Sequence, residues 1–220
     1  MGFALKNMIY EDVLRFWFPN QGNSDIAVMV RQWEWWFRGG TGAYITENFI
    51  PLLEQAMRGE LDSWSELPQS RLALIIILDQ FSRTIYKGTA QAFAQDLKAR
   101  ALTLEGIDIG HYAALETPWE KTFFFLPLGH SEDIKYLELA VELADQLVEE
   151  APIEYRELLK FSASQARRHR DVITRFGRHP HRNKVLGRVA TPEELEYLAS
   201  EQLVHKHSMP PHLSQFLSNR

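Results

Sequence analysis

The chain contains no cysteine, which removes disulfides, thiol nucleophiles and cysteine-ligated metals at once and suits a reducing, cytoplasmic setting. Long hydrophobic runs are also missing. The longest, Leu72 to Leu78, has seven residues, where a membrane-spanning helix needs about 20, so no membrane association is expected. The opening stretch, Met1 to Phe18, carries Lys6, Glu11, Asp12 and Arg15 among its apolar residues and lacks the unbroken core of a secretion signal. Met1-Gly2 invites a myristoylation reading, but Lys6 stands where Ser or Thr is required. Catalytic signatures are absent too: the sequence has no nucleophile elbow, phosphate loop, dinucleotide fingerprint, His-x-x-x-His or His-Glu-x-x-His. Neither a metal nor a cofactor is therefore expected. His179-x-His181 is the nearest approach to ligand spacing, and it lacks a defined third group.

What is present is helical periodicity. Apolar residues recur at helical spacing through most of the 220 residues, and no stretch sustains a period of two. Gly and Pro fall between the periodic segments, at Pro19, Gly39-Gly40, Gly59, Gly88, Gly106, Pro127, Pro152, Gly177 and Pro180. The expectation is an all-α fold of eight to ten helices, stacked as antiparallel pairs, in one domain over residues 1–220. Beyond Ser200 the periodicity fades into a tail with His205, His207, Pro210 and Pro211, either mobile or packed as a short extra helix.

Two helix starts are strongly marked. Thr117-Pro118-Trp119-Glu120 and Thr191-Pro192-Glu193-Glu194 each offer a hydroxyl cap, proline at the first helical position and glutamate at the third. Ser131 before Glu132 and Asp133 reads as a third cap, opening a helix to about Glu150 that buries Ile134, Leu137, Val141, Ala144 and Val148. The segment from Gln69 to Tyr86 is apolar all round through Leu78 and reads as the central helix, with Asp79 and Arg83 able to pair on one face. From about Glu154 to Phe176, the stripe Leu158, Phe161, Gln165, His169, Val172 and Phe176 sets a Gln and a His among apolar neighbours.

Net charge is −5, unevenly distributed. Ser131 to Glu157 holds nine acids against Lys135 and Arg156; Arg167 to Arg188 holds seven arginines and Lys184 against Asp171. Arginine forks suit carboxylates and phosphates, so this block reads either as an anion site or as a partner to the acidic helix. Helical geometry divides it, with Arg168 and Arg175 on one face beside His169 and Arg167, Arg170 and Arg178 at other angles. Duplex nucleic acid is disfavoured, because the chain is acidic overall and carries no reading motif.

Three segments carry a resemblance. They are Leu78-Asp79-Gln80-Phe81-Ser82-Arg83-Thr84-Ile85-Tyr86 with Gly88-Thr89-Ala90, then Phe124-Phe125-Leu126-Pro127-Leu128-Gly129-His130-Ser131-Glu132-Asp133, and finally His169-Arg170-Asp171 through Arg175-Phe176-Gly177-Arg178, Pro180-His181-Arg182-Asn183, Leu186-Gly187-Arg188 and Thr191-Pro192-Glu193-Glu194. With Val13-Leu14-Arg15-Phe16-Trp17-Phe18, they resemble the bacterial domain-of-unknown-function family 924 over roughly residues 10–200. The resemblance implies a tetratricopeptide-like, right-handed helical superhelix and brings no activity, cofactor or substrate. The family usually carries Pro where Ser82 stands, Asn where Thr84 stands and an aromatic where His179 stands, which makes His179 a poor carrier of shared chemistry.

The leading reading is a helical scaffold with a polar pocket, formed where these segments meet and accepting an anionic small molecule or peptide. Its candidate residues are Asp79, Gln80, Arg83, His130, Glu132, His169, Arg175, His181, Arg182, Asn183 and Arg188. The alternatives are a hydrolase in the same pocket, with His169 or His130 as base and arginine stabilising negative charge, and a purely structural interaction module. Each residue also has a bland reading: His130 in a loop beside a capped helix, His169 as a hydrogen-bonded core residue, Asp79 and Arg83 as a buried pair joining helices. Trp33, Trp35, Trp36 and Phe37 either line a groove or join the core.

Overall fold

The computed structural model describes residues 8–20, 25–200 and 208–218; within them every regular element is helical and no strand occurs. Twelve α-helical segments follow in order: α1 Tyr10–Trp17, α2 Ile26–Phe37, α3 Gly42–Asn48, α4 Ile50–Met57, α5 Pro68–Ile76, α6 Ser82–Ile85, α7 Asp96–Asp108, α8 Pro118–Gly129, α9 Ile134–Glu150, α10 Arg156–Phe176, α11 Pro192–Ala199 and α12 Pro211–Ser218. Helices α5 and α6 are joined by a π turn, Ile77–Phe81, in which the Ser82 N–H donates to Ile77 O five residues back. They form one rod, so the count lies close to the eight to ten expected.

That rod is central because its sequence leaves it no exposed face. Leu72 through Leu78 are all essentially inaccessible, and α5 packs against α1, α7 and α8. The close approach depends on Gly106 of α7, where an added Cβ would lie 2.5 Å from Phe124 Cζ and 2.7 Å from Arg71 Cδ. Arg71 is 2% exposed and ties these elements together, donating to Ser65 O (2.7 Å), Leu102 O (2.9 Å) and the Glu105 carboxylate (2.8 Å).

The marked helix starts are present as read. Thr117 accepts from the Glu120 N–H and Thr191 from the Glu194 N–H, each with the reciprocal glutamate contact that completes a capping box. The third start lies later than the sequence suggests: Asp133, not Ser131, caps α9 by accepting from Lys135 N, and Ser131 Oγ, two residues earlier, accepts from Asp133 N. Ile134 is consequently exposed rather than buried, whereas Leu137, Val141, Ala144 and Val148 are buried as expected. Helices α9 and α10 pack along their lengths, and α10 ends at Gly177, whose left-handed φ of 67° suits glycine. The described part of the tail is packed: α12 lies against α2, with Met209 and Leu213 in the core. His205 and His207 lie outside the described residues.

Candidate functional site

The three sequence segments meet at the π turn. Asp79, on that turn, is 1% exposed. Its Oδ1 accepts from His130 Nδ1 at 2.7 Å and from Arg83 Nη2 at 3.2 Å, while Gln80 Nε2 donates to Oδ2. Burial alone would raise this carboxyl. The attraction of His130 and Arg83, with the hydrogen bonds from His130 and Gln80, outweighs burial and holds it well below the usual carboxylate range. For the His130 ring, burial and then the Arg83 charge outweigh Asp79 and push its pKa down, so the imidazole is neutral beside an ionised carboxylate.

Behind this triplet, Asp96 at the start of α7 accepts from Arg83 Nη2 (2.8 Å) and from Arg182 Nη1 (3.0 Å). The Phe93 ring lies beneath both guanidiniums, 5.3 Å and 4.5 Å from their centres. Arg182 also donates to His130 O at 2.8 Å, fixing the C-cap of α8. Burial and then Arg83 push the Arg182 pKa down to about 10 against the opposing pull of Asp96. The returning segment is pinned further by a two-pronged Arg188–Glu132 contact (2.7 and 3.1 Å) and by His179, whose N–H donates to Glu132 and whose Nε2 lies 3.1 Å from Ser131 O.

A cavity of about 1040 Å³ opens on one side of this network. Its lining includes the apolar side chains of Trp33, Trp36 and Phe37 of α2 and of Phe125 and Leu126 of α8. The polar residues of the lining include Gln80, Arg83, His130, Gln165 and His169, with Arg38 and Lys87 as further cations and Glu47 as the one carboxylate. Both readings of the aromatic group thus hold: Trp33 and Trp36 are core residues that also face the cavity, while Trp35 lines a second hollow beside Tyr44. The His169 ring stands edge-on between His130 and His179, 6.3 and 5.7 Å away.

Of the eleven candidate residues, Gln80, Arg83, His130 and His169 line the cavity. Asp79 and Arg182 buttress them from behind, and Glu132 and Arg188 neutralise each other. Three placements differ from the sequence reading. Arg175 does not turn inward beside His169; it is half exposed and pairs with Glu193 at 2.8 Å. Asn183 is buried but donates to Glu194, and His181 is exposed beside the His179 ring. The arginine block is therefore divided among several acids, Arg167 on Asp145 and Arg178 on Glu194, with Glu194 held down to about 2 first by Arg178. Asp96, Phe93 and the structural part played by His179 are additions that local sequence reasoning misses; the aromatic expected at His179 was the one available signal of a buried ring. No group of three His, Asp or Glu side chains that could hold a metal ion occurs among the described residues. No helix among them is long and apolar enough to cross a membrane.

The class so defined is an all-helical protein with a buried charged cluster backing an amphipathic cavity. Residues 13–202 match the model of the family described as bacterial proteins of unknown function, DUF924, and the chain belongs to that family. It is similar to the solved structure of ATU0120, a protein of unknown function from Agrobacterium tumefaciens, at 34% identity and a TM-score of 0.65, over 86% of this chain and 96% of that one. No curated protein matches it.

Proposed function

We propose that the protein binds an amphipathic anionic small molecule, with its apolar body against the aromatic side chains of the lining and its carboxylate or similar head at Arg83, His130 and His169. The observation that carries this reading is the composition of one cavity: its lining combines aromatic and aliphatic side chains with polar ones whose full charges are three cations and one acid. Asp79 and Asp96 offset Arg83 from behind, so attraction for an anion rests on Arg38 and Lys87 and on the donor geometry of Arg83. Both hydrogen bonds from Arg83 to described residues leave through Nη2, so Nη1 remains for a ligand. The volume suits a small molecule better than a peptide, since such pockets span roughly 300–1,000 Å³.

Octanoate titrated calorimetrically into the full chain tests this. Saturable binding is expected, weakened about tenfold or more by Arg83→Gln, as loss of a charged hydrogen bond implies, and unchanged by Arg175→Ala. Equal affinity in wild type and Arg83→Gln, or no binding at millimolar octanoate, overturns the reading. The apolar cluster running from Val13 to Leu213 supports treating the chain as one domain. The short link between the paired helices α9 and α10 supports tetratricopeptide-like stacking, and the lack of cysteine supports a cytoplasmic setting.

A further inference from the structure

Asp79 holds His130 by one ring nitrogen and leaves the other unused. Imidazole and guanidinium meet at the same carboxylate oxygen, Oδ1. With Nδ1–H donating to an ionised carboxylate, the neutral ring carries its lone pair on Nε2. That nitrogen has no hydrogen bond to the described residues and is not among the buried, unpartnered polar atoms, and the ring lines the cavity. A carboxylate that fixes the tautomer, with the second nitrogen turned to a ligand site, is the arrangement of an oriented general base.

Resting on the reading of the cavity as a site for amphipathic carboxylates, we propose that the protein hydrolyses carboxylic esters with apolar acyl chains, His130 acting as general base toward water and Arg83 stabilising the oxyanion. The water oxygen bonds to the acyl carbon while its proton passes to His130 Nε2, and the carbonyl π pair moves onto oxygen, opposite Arg83 Nη1. The tetrahedral species then collapses, the bond to the alkoxy oxygen breaks, and the proton held on His130 goes to that leaving oxygen. Ester and water become acid and alcohol, with no oxidant, reductant or further reactant. The acid, ionised at neutral pH, is the kind of ligand the cavity suits. Asp79 touches no substrate; it is a positioning residue. Asp79, Arg83, Asp96 and Arg182 surround His130 from behind and His169 flanks it; burial and Arg83 keep the base form available at neutral pH.

The test uses 4-nitrophenyl octanoate with the full chain between pH 5 and 9. Saturable turnover is expected, with kcat falling about 100-fold in His130→Gln and KM little changed. Asp79→Asn removes the one neighbour named here that bonds to the ring and raises its pKa, so the acid limb of the kcat/KM profile moves to lower pH, a shift that simple loss of structure does not produce. Asp79→Glu, which retains the charge, restores part of the rate and the original limb. Wild-type turnover no faster than that of His130→Gln overturns the proposal, as does an Asp79→Asn profile that keeps the wild-type limb. Octanoate binding measured on the same sample separates the two readings: binding without turnover overturns hydrolysis alone, and absence of both overturns hydrolysis and cavity binding together.

Discussion

Replacing His179 by Phe, the kind of residue the family usually carries there, should reverse its effect on stability between pH 8 and pH 5. His179 is 1% exposed. Burial first, then the Arg182 charge and the neighbouring histidines, push its pKa far below that of a free imidazole. A group depressed in the folded state contributes stability that is complete above its unfolded pKa and lost as pH falls toward the folded value. With an unfolded pKa near 6.5, an imidazole that stays neutral in the folded protein costs about 2 kcal/mol at pH 5, because the unfolded chain gains the proton. Phe lacks this cost and also loses the contact with Ser131 O, worth about 1 kcal/mol. The variant should therefore be about 1 kcal/mol less stable than wild type at pH 8 and about 1 kcal/mol more stable at pH 5. Urea unfolding midpoints across that range measure the difference, and the depressed pKa values of His111 and His130 act on both proteins alike. Parallel curves for the two proteins would refute the reasoning, because they would mean that His179 takes up a proton when folded as readily as when unfolded.

Thr117→Ala and Thr191→Ala should each lower stability by about 1 kcal/mol through loss of the capping box, read as a drop in denaturant midpoint. Gly106→Ala should cost about 1–3 kcal/mol, since the new methyl meets Phe124 and Arg71 rather than open space; a thermal midpoint equal to wild type would mean that α7 and α8 separate without cost. Arg71→Met should cost about 2–4 kcal/mol, because the Ser65 carbonyl loses its charged donor, and the same unfolding assay reads it. Asp96→Asn and Arg182→Gln should be non-additive by about 1–3 kcal/mol in a double-mutant cycle, each single change leaving the other group buried without its partner.

The parts legible in the sequence were those fixed by near neighbours. The seven apolar residues before Asp79 sufficed to name the central helix, and the spacing of Asp79 and Arg83 sufficed to pair them, as their 3.2 Å contact bears out. Where two residues compete for one local task, spacing does not rank them: Ser131 and Asp133 are both good caps, and the one nearer the helix takes the position. Long-range partners were illegible. The stripe on α10 places His169 on the cavity lining, yet nothing in the spacing shows that Asp79 bonds to His130 across 51 positions. Asp96 reaches Arg182 across 86 positions, and no motif around Asp96 announces it. The arginine block was separable by helical angle, but which acid each member meets depends on how residues 177–194 fold back, and spacing holds no information on that.

The π turn links these observations into one constraint. Residues 72–78 are buried on all sides, so the next turn carries its first polar residues into surroundings already packed with apolar groups. Widening the helix there to a five-residue repeat changes the direction of Asp79, and such turns are often found at functional sites. A carboxylate so deeply placed must be matched by donors, and His130 and Arg83 supply them. The contact that makes the buried charge tolerable is thus the same one that fixes the His130 tautomer and aligns Arg83 along the cavity. Stability and the placement of two cavity-lining side chains are consequently coupled at a single oxygen: removing Asp79 costs the fold a charge partner and frees the imidazole to rotate, whereas removing Arg175 or Glu193, paired at the surface, touches neither.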